Sequence, residues 1–82
     1  MARARVYVTL KKSVFDPQGE TIHEALRSLG YAQVASVRQG KFFEIDIDGL
    51  AGEEARQAAE EIARRVLANP VIESWKVEVD PS

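Results

Sequence analysis

Apolar and polar residues alternate strictly from Ala4 to Leu10. Ala4, Val6, Val8 and Leu10 fall on one face, and Arg5, Tyr7 and Thr9 on the other. A period of two marks a half-buried strand. Asp16-Pro17 then opens a helix, because aspartate accepts a hydrogen bond from a free amide of the first turn and proline has no amide to leave unpaired. Ile22, Ala25, Leu26 and Leu29 recur at helical spacing, and Gly30 stands where a left-handed C-terminal cap belongs. The pattern predicts a second strand over Tyr31–Arg38, bulged where Val34 and Val37 break the alternation. A turn at Gln39-Gly40 follows, with glycine supplying positive φ.

Lys41–Asp48 alternates most clearly. Phe43, Ile45 and Ile47 face one way, and Phe42, Glu44, Asp46 and Asp48 the other. The loop Gly49-Leu50-Ala51-Gly52 leads to a second helix that begins with Glu53 and Glu54, acidic residues suited to the positive end of the helix dipole. Ala55, Ala58, Ala59, Ile62, Val66 and Leu67 form its apolar stripe. Asn69-Pro70 ends it, since a residue before proline is driven out of the helical region. Val71–Val79 reads as the last strand and Asp80-Pro81-Ser82 as a tail. The order β-α-β-β-α-β predicts an α+β ferredoxin-like sandwich. Four antiparallel strands form its sheet, with both helices on the face of Val6, Val8, Phe43, Ile45, Val77 and Val79. Tyr7 and Phe42 then lie on the uncovered face, where exposed aromatics suggest a subunit contact.

Eighty-two residues make one domain, 1–82. A chain this short buries roughly 60–65% of its unfolded surface, so its core is thin and association is favoured. The sequence has no cysteine, 11 basic and 13 acidic residues, and a net charge of -2. The absence of cysteine excludes disulfides and thiolate metal sites and fits a reducing cytoplasm. The missing basic excess argues against a nucleic-acid partner, and no apolar run approaches the roughly 18 residues of a membrane helix. The N-terminal residues lead straight into a strand pattern without a signal-peptide core.

Candidate chemistry is sparse. Glu44, Asp46 and Asp48 share a strand face, but alternate residues there stand about 6.5–7 Å apart and do not converge on one ion. A solvated strand face accounts for them. His23, the only histidine, has no partner fixed by spacing and reads as a surface or boundary residue, so general-base chemistry lacks support. Gly40-Lys41-Phe42-Phe43 resembles an RNA-recognition strand only faintly, because its adjacent aromatics point to opposite faces. The cations Lys11 and Lys12, at the end of the first strand, and Arg38 and Lys41, at the predicted hairpin tip, are candidates for contact with an acidic partner.

Five pieces carry a resemblance that spans nearly the whole chain. They are Val6-Tyr7-Val8-Thr9-Leu10-Lys11, Asp16-Pro17-Gln18-Gly19, Ala25-Leu26 with Gly30-Tyr31, Val37-Arg38-Gln39-Gly40-Lys41, and Leu67-Ala68-Asn69-Pro70-Val71-Ile72-Glu73. No piece is specific alone, but their order and spacing resemble the PurS family, the small subunit of formylglycinamidine ribonucleotide synthase. Pro70 departs from the pattern and bears only on the helix stop. The resemblance implies a non-catalytic subunit of purine biosynthesis, a homodimer or homotetramer joining the synthetase PurL to the glutaminase PurQ and supporting ammonia transfer. It implies no cofactor on this subunit, with ATP, Mg and glutamine used by the whole complex. Tyr7, Lys11, Lys12, Arg38, Lys41 and Phe42 are then the expected partner-interface residues. An ACT-like regulatory domain of the same topology is the alternative. It needs a glycine-rich turn after the first strand, where this chain has the bulky Lys12-Ser13-Val14-Phe15-Asp16-Pro17.

Overall fold

The computed structural model describes residues 2–80; Pro81 and Ser82 of the expected tail lie outside them. Strand β1 spans Ala2–Leu10, helix α1 Pro17–Ser28, strand β2 Gly40–Ile47, helix α2 Gly52–Ile62 and strand β3 Glu73–Val79. A π-helical turn, Ala63–Leu67, continues α2. The fold is α+β, and its sheet is antiparallel with order β2-β1-β3.

The alternation of β1 translates directly into burial. Ala2, Ala4, Val6 and Val8 are buried, and burying each valine contributes about 1.5–3 kcal/mol. Over them lies α2, which turns Ala55, Ala59 and Ala63 inward, all three fully buried. With so little side chain between, helix and sheet approach closely. Phe43, Ile45, Leu67, Trp75 and Val77 close the core around Val6, Val8 and Ala63. The Trp75 indole N–H donates to Glu60 Oε2 at 2.9 Å, tying β3 to α2. After the π turn, Asn69 folds the chain into β3: its side chain accepts the Val71 amide at 3.0 Å, and its carbonyl accepts the Glu73 amide at 2.7 Å.

Two expectations are corrected. The segment 31–38 is not a strand, so the described sheet has three strands instead of four. The physical reason lies at Gln39-Gly40, where the expected turn is not made. Gly40 is the first residue of β2, it lacks positive φ, and neither turn nor bend interrupts residues 34–39. A segment that does not fold back cannot pair with the strand that follows it. The second correction concerns α1, which does not cover the sheet. Its expected core stripe is open: Ile22 is 40% and Leu29 74% exposed. Instead, α1 and the returning segment 31–39 project beyond the end of the sheet as an arm. The molecule measures 49 × 27 × 14 Å with a radius of gyration of 15.9 Å, against about 12 Å for a compact chain of this length.

Candidate partner interface

The arm joins the sheet through an elbow built around Asp16. As the N-cap of α1, Asp16 accepts the Gly19 amide on Oδ1 at 3.0 Å. Its other oxygen accepts the Gln39 amide at 2.8 Å, across the arm. Glycine at position 19 has a steric cause: a Cβ there would stand 2.3 Å from the Val37 carbonyl oxygen. Further out, a ring nitrogen of His23 lies 2.9 Å from the Val34 carbonyl oxygen. His23 is therefore buried and holds the returning segment, where the sequence suggested a surface or boundary residue. A glycine in the first helical turn was the available signal, because helices disfavour it unless another backbone approaches closely.

The bonds from the Gln39 and Gly19 amides hold the Asp16 carboxyl below the usual carboxylate range. A depressed folded pKa adds stability that is complete at neutral pH and disappears as pH falls through that pKa, below the ordinary value of about 3.9. The expected result is an Asp16 carboxyl that titrates below pH 3.9 by NMR. In Asp16→Asn, the part of the acid-unfolding profile below that pH should flatten. A titration midpoint at or above 3.9 would contradict these bonds.

The structure distributes the six expected interface residues unevenly. Tyr7 and Phe42 lie opposite one another on β1 and β2, on the sheet face away from α2. Their rings are 5.1 Å apart and tilted by 33°, with Tyr7 37% and Phe42 53% exposed. Lys11 and Lys12 are exposed at the end of β1. Arg38 is not at a hairpin tip. Its Nη2 donates to the carbonyls of Leu10, Lys11 and Val14 at 3.2, 2.8 and 3.1 Å. Lys41 Nζ lies 3.8 Å from Glu73 Oε2. Tyr7 and Phe42 are thus together on one surface. Lys11, Lys12, Arg38 and Lys41 gather at the elbow, where Arg38 acts within the chain.

Charge on the outer sheet face is arranged in pairs. Arg3 Nε lies 2.9 Å from Asp46, and Arg5 Nη1 2.6 Å from Asp80. Arg3 also stands 3.9 Å from Glu44. These guanidinium bonds push the Asp46 and Asp80 carboxyls down. The Tyr7 hydroxyl donates to Glu78 at 3.1 Å and, with Lys76, lowers that carboxyl as well. No helix of the described residues is long and apolar enough to cross a membrane. A cleft of about 200 Å³ at the elbow is lined by Thr9, Asp16, Gln18, Gln39, Lys41 and Glu73, among others. A shallow groove of about 460 Å³ runs along the outer flank of α2, between Ala58, Ile62 and Val66.

Residues 3–81 match the family model described as PurS, phosphoribosylformylglycinamidine (FGAM) synthase. The phosphoribosylformylglycinamidine synthase subunit PurS of Archaeoglobus fulgidus is 43% identical over 74 residues, covering 90% of this chain and 92% of its own. The crystal structure of Methanocaldococcus jannaschii PurS, one of the subunits of formylglycinamide ribonucleotide amidotransferase, superposes with a TM-score of 0.87. It is 35% identical, with 100% of this chain and 99% of that one covered. A chain of the PurLQS structure from Thermotoga maritima gives a TM-score of 0.83 at 27% identity, covering 98% and 99%. With nearly every residue of the elbow, sheet and helices inside these matches, the chain belongs to the PurS family.

Proposed function

We propose that this chain is the small, non-catalytic subunit of phosphoribosylformylglycinamidine synthase in purine biosynthesis. It joins a PurL synthetase to a PurQ glutaminase in the cytoplasm and supports the passage of ammonia between them. The observation that carries this reading is the end-to-end match to PurS chains, one of them within a PurLQS structure. The chain's own chemistry agrees with it. Its histidine and its best-bonded carboxylate are engaged in holding the arm, so they serve shape. ATP, Mg and glutamine belong in this reading to the larger subunits, and this one binds no cofactor.

The subunit works as a homo-oligomer, a dimer or a pair of dimers. An open apolar stripe on α1 and a radius of gyration well above that of a compact chain support association. Each lobe of the oligomer completes the four-stranded ferredoxin-like sandwich that one described chain leaves at three strands. Lys11 and Lys12 are offered to acidic surfaces of the larger subunits, and Tyr7 and Phe42 to a flat subunit contact. Arg38 and Lys41 contribute at the elbow beside them. The ACT-like alternative is less favoured, since the connection after β1 is bulky and gives the carbonyls of Lys11 and Val14 to the Arg38 guanidinium.

The test is reconstitution. A PurL and a PurQ mixed with this chain should carry out glutamine-dependent amidation of formylglycinamide ribonucleotide, and without it should lose most of that activity while ammonia-dependent amidation by PurL persists. Equal glutamine-dependent rates with and without the chain would overturn the proposal.

A further inference from the structure

Two loops at one end of the sheet are firmly built and yet leave apolar side chains in water. The connection after β1 is fixed by the Val14 amide on the Lys11 carbonyl at 2.9 Å and by Arg38 on the carbonyls of Leu10, Lys11 and Val14. The loop before β3 is fixed by Asn69. Its side chain accepts the Val71 amide at 3.0 Å, and its carbonyl accepts the Ile72 and Glu73 amides at 3.1 and 2.7 Å. The Glu73 carboxylate in return accepts the Asn69 amide at 2.7 Å. A bond from the Lys11 amide to the Ile72 carbonyl, 2.9 Å, joins the two loops. None of these bonds brings the apolar side chains inside. Phe15 is 70%, Val71 77% and Ile72 40% exposed, and Lys11 and Lys12 are exposed as well. Loops ordered to this degree have already lost the freedom that binding would otherwise cost them.

Charge decides what fits there. The other cations of the sheet are engaged: Arg3 pairs with Asp46, Arg5 with Asp80, Lys41 with Glu73 and Lys76 with Glu78. Lys11 and Lys12 make no ion pair among the described residues. Interfaces put aromatic and aliphatic side chains at their centre and charge at the rim. Phe15, Val71 and Ile72 with two free ammonium groups therefore match a surface that sets carboxylates around an apolar pocket. A second copy is a poor source of that surface, because its acidic clusters on the sheet and on α2 are held by its own Arg3, Arg5, Arg56 and Arg65. A nucleic acid needs a wider basic field than two lysines in a chain of net charge -2. We infer that Phe15, Val71 and Ile72 are the apolar anchors, and Lys11 and Lys12 the rim, of the site that docks on an acidic surface of a larger synthase subunit. This rests on the subunit reading above and names the residues that carry it. Arg38 is a positioning residue here, since it holds the backbone that presents Lys11, Lys12 and Phe15.

The test titrates the chain into a fixed mixture of PurL and PurQ and reads glutamine-dependent amidation. Docking sets the half-saturating concentration, and the plateau reports the chemistry of the larger subunits. Phe15→Ser should raise the half-saturating concentration by about tenfold or more, as loss of a central anchor does, and leave the plateau unchanged. Lys11→Glu with Lys12→Glu should raise it as well. For the native chain it should rise with salt between about 0.05 M and about 0.3 M, and this dependence should vanish in the double variant, because screening acts on the lost charges. Titrations of all variants that overlay the native curve would overturn the site. A lowered plateau at native half-saturation would overturn it too, since that marks an effect on catalysis and not on docking. If Phe15→Ser loses native circular dichroism, Val71→Ser replaces it and is judged by the same readout. Sedimentation identifies a wrong occupant: variants that change the oligomeric state of the chain alone would assign the surface to a second copy and refute the inference. The two readings fail differently. A native chain that supports amidation with variants indistinguishable from it sinks this site and leaves the subunit reading intact. A native chain that supports no amidation at any concentration sinks both.

Discussion

Ala59→Leu is expected to lower the melting temperature by roughly 5–20 °C. Helix α2 and the turn that continues it meet the sheet through Ala55, Ala59 and Ala63, all at 0% exposure, on the side of the sheet where Ala2, Ala4, Val6 and Val8 are at 0–1%. A fully buried alanine in a close-packed interior leaves no cavity for three extra carbons. The helix must lift or the sheet must bend, at a cost of about 1–3 kcal/mol. In a domain of this size each kcal/mol moves the transition by about 4–8 °C. Lifting the helix also disturbs the bond between Trp75 and Glu60. Gln57→Leu, on the exposed side of the same helix, is the control and should stay within about 0.5 kcal/mol of the native chain. Thermal unfolding followed by circular dichroism decides it; equal melting temperatures for the two variants would mean that α2 does not dock on its alanines.

Gly19→Ala should detach the arm's returning segment while leaving the sheet in place. Helix propensity alone predicts the opposite sign, since alanine is favoured over glycine in a helix by about 1 kcal/mol. Space reverses it. The added Cβ would stand 2.3 Å from the Val37 carbonyl oxygen and 2.7 Å from Asp16 Oδ2. The nearer atom is backbone and cannot turn aside as a side chain could. Relief requires moving segment 37–39 off the helix, which breaks the bond from the Gln39 amide to Asp16. Hydrogen exchange at the Gln39 amide should then accelerate by at least about tenfold, with exchange in β1 unchanged. If the Gln39 rate does not move, segment and helix are not in contact at this point.

How much of this was legible in the sequence differs by element. In β1 the alternation gave each residue its face, because burial on one side of a strand obeys a period of two whatever surrounds it. The Asp16 cap was legible for the same local reason: its Gly19 partner is three residues away. The alanine stripe of α2 was mostly visible, though the π turn carried Val66 out to solvent. The segment 31–38 was misread because a hairpin strand and an extended arm share one local sequence. They differ in whether the chain reverses at Gly40, and that is governed by bonds reaching 23 to 28 residues back, from Gln39 and Arg38 to the elbow. At the candidate interface, parity put Tyr7 and Phe42 on one face correctly. Parity could not reveal that the Arg38 guanidinium turns inward onto carbonyls, since a long side chain's target is set by three-dimensional proximity.

The single tryptophan has a practical consequence. Trp75 lies half-buried between β3 and α2, and the arm contains no second indole. Intrinsic fluorescence therefore watches the docking of α2 and is blind to the arm. Tyr31, 50% exposed near the arm's far end, offers a separate chromophore there. In a Tyr7→Phe chain, which removes the tyrosine of the sheet, a denaturation series read at both wavelengths resolves the two halves of the molecule without any label, and a gap between the curves measures how independently the arm lets go.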